Sequence, residues 1–89
     1  MMTYIRNYSA LGTYQKAHQL VYCCCSEEAG QRLTLSRNTD TAGYSEAVCA
    51  KISAPEAEEI LLYLYENGIT PELWHDVLDD LLPGKYVRL

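Results

Sequence analysis

The sequence predicts an α+β domain of two layers: a small antiparallel meander of three to four strands packed against a C-terminal helical hairpin. Three observations predict it. Before Ser53 apolar residues alternate with a period near two, after it they follow a helical period, and turn residues break the first half about every ten residues. The chain has 89 residues and a mass of 10.1 kDa. A chain that short buries only about 60–65 % of its unfolded surface, so it supports one core and one domain. The expected division is a mainly β part over residues 1–52, a helical hairpin over 53–83 and a tail over 84–89. With 48 % hydrophobic and 21 % charged residues, disorder and collagen-like or coiled-coil architecture are excluded for the whole chain.

Each element has a local reason. Thr3 to Tyr8 can add a first strand before the break at Leu11-Gly12. His18 to Cys25 is an apolar, β-compatible run, although Gln15 to Val21 could also start helically. Gly30 separates that run from Gln31 to Arg37, where Leu33 and Leu35 share a face. After a turn over Asn38 to Gly43, the strand from Tyr44 to Ile52 places Tyr44, Val48, Ala50 and Ile52 on one face and Ser45 and Lys51 on the other. Ser53 with Glu56 three positions on is a capping box. Ala57, Ile60, Leu61, Leu64 and Tyr65 then form one apolar stripe, and Asn67-Gly68 followed by Ile69 is a C-terminal stop. Thr70-Pro71 predicts a second start, with Thr70 as cap and Pro71 in the first turn. Leu73, Trp74, Val77, Leu78, Leu81 and Leu82 are the expected core set of that helix, which Pro83-Gly84 ends.

The strand ending in Lys51-Ile52-Ser53, the stop at Glu66-Asn67-Gly68-Ile69, and the run Thr70-Pro71-Glu72-Leu73 with Asp76-Val77-Leu78-Asp79-Asp80-Leu81 resemble a small uncharacterised domain family found mostly in Firmicutes. Its members end in a helix, a Pro-containing turn and an acidic Asp-Val-x-x-Asp helix. The resemblance covers roughly residues 30–82. It implies the same fold and no activity, so no site residue comes with it.

Chemistry-bearing residues are few and scattered. Cys23, Cys24 and Cys25 are consecutive and Cys49 stands alone, which is not the spaced disulfide framework of a small secreted domain, so all four are read as reduced thiols. On a strand, Cys23 and Cys25 point to one face and Cys24 with His18 to the other. No ligand pair has zinc spacing, and no metal or other cofactor is expected. His75 lies beside Asp76 and Asp79, but nothing in the sequence brings a nucleophile to it, and the chain is read as a non-enzyme. Its glycines are isolated, so a phosphate-binding loop is not expected. A nucleic-acid face would have to combine Arg6, Lys16, Arg32, Arg37 and Lys51 with Tyr4, Tyr8, Tyr14, Tyr22 and Tyr44. The net charge of -5 opposes that, and it opposes an anionic membrane too; direct nucleic-acid and membrane partners are therefore not expected. No apolar run approaches a membrane span or a signal peptide, and a cytoplasmic location is expected.

The charge is unevenly placed. Ser53 to Leu82 holds eight acidic residues and neither Lys nor Arg, giving -8, while the rest of the chain carries +3. Carboxylates in a first helical turn suit the helix dipole, which accounts for Glu56, Glu58, Glu59 and Glu72. Glu66, Asp76, Asp79 and Asp80 fall later, where the dipole disfavours them. The sequence therefore points to a protein-interaction module that offers Glu59, Glu66, Glu72, Asp76, Asp79 and Asp80 to a partner protein with a basic surface. Its sharpest form is a phage or mobile-element inhibitor that mimics nucleic acid, anti-CRISPR-like in size and charge. Two alternatives stand beside it: a housekeeping regulatory or homodimerising subunit using exposed tyrosines and Trp74, and a thiol or metal sensor built on the Cys run.

Overall fold

A computed structural model describes residues 1–13, 15–39 and 42–89. Five strands, β1 (Met2–Tyr8), β2 (His18–Glu27), β3 (Gly30–Asn38), β4 (Gly43–Ala50) and β5 (Tyr86–Arg88), form one antiparallel sheet in chain order. Between β4 and β5 the chain makes helices α1 (Ala54–Glu66) and α2 (Trp74–Leu81). The two-layer α+β class holds. The strand number does not, because residues 84–89 are not a tail: Tyr86, Val87 and Arg88 pair with Ala50, Cys49 and Val48. The helices are thus an excursion between neighbouring strands, and the strand after them returns to close the sheet. The helical start considered for Gln15 to Val21 also gives way, since β2 begins at His18. Tyr14, and Asp40 and Thr41 of the expected turn, lie outside the described residues.

Strand alternation decides which side chains meet the helices. Cross-strand partners Tyr4, Tyr22, Leu35 and Glu46 share the helix-facing side, as do Met2, Cys24, Leu33 and Val48. The core consists of Leu20, Tyr22, Cys24, Leu33, Leu35, Val48 and Ala50 from the sheet, with Ala57, Leu61, Leu64, Trp74, Leu78 and Leu82 from the helical segment. Trp74 is fully buried, so it is no surface anchor for a regulatory or homodimeric role. Leu73 and Leu81, expected in the core, are 54 % and 41 % exposed. For Leu73 the reason is the start of α2. Thr70 does not cap it with its side chain; instead the Thr70 carbonyl accepts from the Leu73 and Trp74 amides, and the helix begins only at Trp74. That tight turn buries Pro71 and rotates Leu73 outward. Ile52 likewise falls beyond the end of β4 and only flanks the core.

Helix α1 follows its sequence signals closely. The Ser53 hydroxyl accepts from the Glu56 amide while the Glu56 carboxylate accepts from the Ser53 amide. At the other end the Ile69 amide reaches the Leu64 carbonyl and the Gly68 amide the Tyr65 carbonyl, a Schellman pair with Gly68 at φ 58°. A basic residue is missing from the last turn of α1, and β1 supplies one: the Arg6 guanidinium donates to the Tyr65 carbonyl at 2.9 Å and to the Tyr8 hydroxyl at 3.1 Å. The Tyr22 hydroxyl donates to the Ile69 carbonyl at 2.9 Å, and burial pushes that phenol up to about 12. Sheet and helix end are therefore joined by polar bonds as well as by apolar packing.

One turn glycine carries a close approach. Gly30 has φ 146°, and a Cβ there would collide with the Ala50 carbonyl oxygen on the adjoining strand end. Gly84 also has positive φ, 70°, but open space around it. Gly30→Ala should therefore cost about 2–4 kcal/mol, through backbone strain and a clash with rigid backbone, and Gly84→Ala only about 1 kcal/mol. Urea unfolding of both variants checks the order; equal losses would contradict the assigned clash.

Candidate protein-interaction surface

The helical layer is where the acidic residues stand, and the structure separates those that are engaged from those that are not. Glu72 is engaged: Arg37 of β3 grips its carboxylate with both terminal guanidinium nitrogens. That bidentate bond holds the Glu72 carboxyl down to about 2. Asp79 accepts from the Tyr86 hydroxyl of β5. Glu59, Glu66, Asp76 and Asp80 are exposed, and the ion pairs among the described residues involve none of them. Of the six acidic residues nominated by the sequence, Glu72 alone pairs with a basic side chain among the described residues, and Asp79 is bonded to a hydroxyl.

Their neighbours sharpen the surface. Along α1, Glu59, Leu62, Tyr63 and Glu66 recur at i, i+3, i+4 and i+7, one outward stripe with carboxylates at both ends. Leu62 is 38 % and Tyr63 46 % exposed. On α2 the exposed Leu73 lies over Asp76 and Asp80, again at i+3 and i+7. Apolar anchors rimmed by charge are the usual anatomy of a protein interface. The acidic groups do not converge on a point. Glu58 and Glu59 line a groove with Met2 and Tyr4 of β1, whereas Asp79 meets β5 at the far side of the sheet.

Beneath α2 lies a polar cluster that the sequence reading missed. Glu46 of β4 accepts from the Tyr44 hydroxyl at 2.6 Å and contacts His75 Nε2 at 2.6 Å. These bonds, Tyr44 first and His75 second, lower the Glu46 carboxyl, while Glu46 raises the Tyr44 phenol. The available signal was alternation itself, which puts Glu46 on the same face as Tyr44, Val48 and Ala50. His75 Nδ1 and Trp74 Nε1 are buried without a hydrogen-bond partner. This carboxylate–imidazole pair ties α2 to β4.

The thiols are elsewhere. Cys24 is buried on the helix side, where burial pushes its pKa up and keeps it protonated. Cys23, Cys25 and Cys49 are half-buried on the opposite face of the sheet, away from His75. Among the described residues, no group of three or more His, Cys, Asp or Glu is arranged to hold a metal ion. Tyr4, Tyr8, Tyr22 and Tyr44 all fall on the helix side of the sheet. Among the described residues, no helix is long and apolar enough to cross a membrane. No protein-family model, curated protein or solved structure matches the chain.

The two lowered carboxylates give stability a defined pH dependence. Both groups ordinarily titrate near 4.5 and titrate lower when folded, so the unfolded chain binds their protons first. Their contribution is present above about pH 4.5 and fades as the pH falls toward 2. Glu72→Gln should flatten the fall in unfolding free energy over that window and cost under about 1 kcal/mol at neutral pH, since the pair is exposed. Urea titrations at stepped pH read this directly; an unchanged acid limb would remove the Arg37–Glu72 bond from the account.

Proposed function

We propose that the chain is a non-enzymatic protein-interaction module whose helical layer docks on a basic surface of a partner protein. One observation carries the reading: carboxylates without a basic partner flank the exposed Leu62 and Tyr63 on α1, and on α2 they follow the exposed Leu73. A stripe that only kept the protein dissolved would not need the adjacent Leu62 and Tyr63 in its middle. Charge at the rim steers encounter and selects a basic partner, while the apolar anchors supply desolvation on contact. Glu59, Glu66, Asp76 and Asp80 are the principal acidic contacts. Asp79 takes part through the same turn of α2, and Glu72 is held back by Arg37. An inhibitor of phage or mobile-element type, occupying a groove built for nucleic acid, is the sharpest form of this reading. In it, carboxylates stand where phosphates would lie.

The test is affinity capture with the intact chain, followed by titration of whatever protein it retains. Affinity should fall about tenfold or more between low salt and about 0.5 M salt. Triple reversal of Asp76, Asp79 and Asp80 to Lys should weaken it by a further tenfold or so with the fold preserved by circular dichroism. A retained partner whose affinity ignores both salt and reversal would sink the proposal.

A further inference from the structure

The edge of the sheet beside α1 carries the reading one step further. β1 is an edge strand of 7 residues. Among the described residues, its backbone makes no backbone–backbone bond outside the β1–β2 ladder. Natural edges of that length are usually blunted by Lys, Pro, a bulge or a covering loop. Met2–Tyr8 contains no Pro, Lys, Asp or Glu, and its one charged residue, Arg6, is turned inward to Tyr65 and Tyr8. Alongside the edge runs a groove of about 290 Å³ lined by Met2, Tyr4, Pro55, Glu58, Glu59 and Leu62. Its floor is apolar and its far wall is acidic.

We propose that this groove and edge receive an extended basic segment of the partner, which adds as a sixth strand against β1. The inference rests on the acidic-module reading and names how the partner engages it. Strand addition satisfies the open amides and carbonyls of β1, and every second side chain of the added segment then points into the groove. Lys or Arg at those positions meets Glu58 and Glu59, and apolar residues meet Leu62 and Met2. Charge selects this occupant over a second copy of the chain. α1 runs alongside β1, with Glu58 by the Met2 end and the Tyr65 carbonyl by Arg6 near the other. Two copies joined antiparallel through β1 would bring Glu58 and Glu59 of each toward Glu66 of the other, and each copy already carries -5.

The probe is a short synthetic peptide alternating lysine and threonine, with an otherwise identical glutamate peptide as control. Isothermal titration at low salt should detect the lysine peptide only, and amides of Met2–Tyr8 should gain protection from hydrogen exchange. Glu58→Lys with Glu59→Lys should weaken binding about tenfold. N-methylation of every second peptide amide separates strand addition from plain charge attraction: one phase should abolish binding and the other should not. Equal binding of both phases overturns strand addition while leaving the acidic module standing. Failure of the lysine peptide to bind overturns the inference alone, because the docking surface on α2 is read through the captured partner. Protection of β1 that rises with protein concentration, without peptide, assigns the edge to a second copy and overturns it as well.

Discussion

The buried layer between one face of the sheet and the two helices is the core of the described residues, and the rest of the structure follows from filling it. Leu20, Tyr22, Leu33, Leu35 and Val48 are fully buried from below, and Leu61, Leu64, Trp74 and Leu78 from above. At this chain length no second core is available to tolerate a misplaced charge. Every charged group facing the layer is accordingly tied: Arg6 to the end of α1, Arg37 to Glu72, and Glu46 to Tyr44 and His75. Removing one partner from the half-buried Glu46–His75 pair costs more than the bond contributed, because the other is left desolvated, whereas the exposed Arg37–Glu72 pair carries little such penalty.

The same constraint sorts the surface. With apolar groups consumed by the interior, the outward side of the helices is free to carry carboxylates, and the few apolar residues that remain exposed there stand out. Leu73 is outside because the Thr70–Trp74 turn rotates it away, and Leu62 and Tyr63 lie opposite the buried Leu61–Leu64 stripe. The opposite sheet face is a different surface, with Thr34, Ser36, Ser45, Ala47, Cys23, Cys25 and Cys49, and Arg32 bonded to Glu27. It has little net charge to attract a basic partner. Function in this reading belongs to the helical side and to the β1 edge beside it.

Much of the architecture was legible because it is encoded locally. The Ser53–Glu56 box, the Gly68 stop and the two-residue period of β2 to β4 depend on neighbours within a few positions, and the structure realises each. β5 was not legible: Tyr-Val-Arg after Pro83-Gly84 is too short to display a period, and only the partner strand makes it a strand. Leu73 failed for a related reason, since a helical pattern cannot tell that the first turn is replaced by a tighter one. The acidic set was legible as composition, but its division was not. Nothing near Glu72 in sequence announces Arg37, and nothing near Asp79 announces Tyr86. Glu46 left a trace, a carboxylate on the apolar side of an alternating strand.

The account's central claim is that the helical layer, and not the open sheet face, meets the partner. Cross-saturation from an unlabelled partner to the deuterated chain tests it most directly, because it reports proximity residue by residue. Transfer should concentrate on the amides of Glu59, Leu62, Tyr63 and Glu66 in α1 and of Leu73, Asp76 and Asp80 at α2. Transfer centred instead on Val21, Thr34 and Ala47 of the open sheet face would contradict the account.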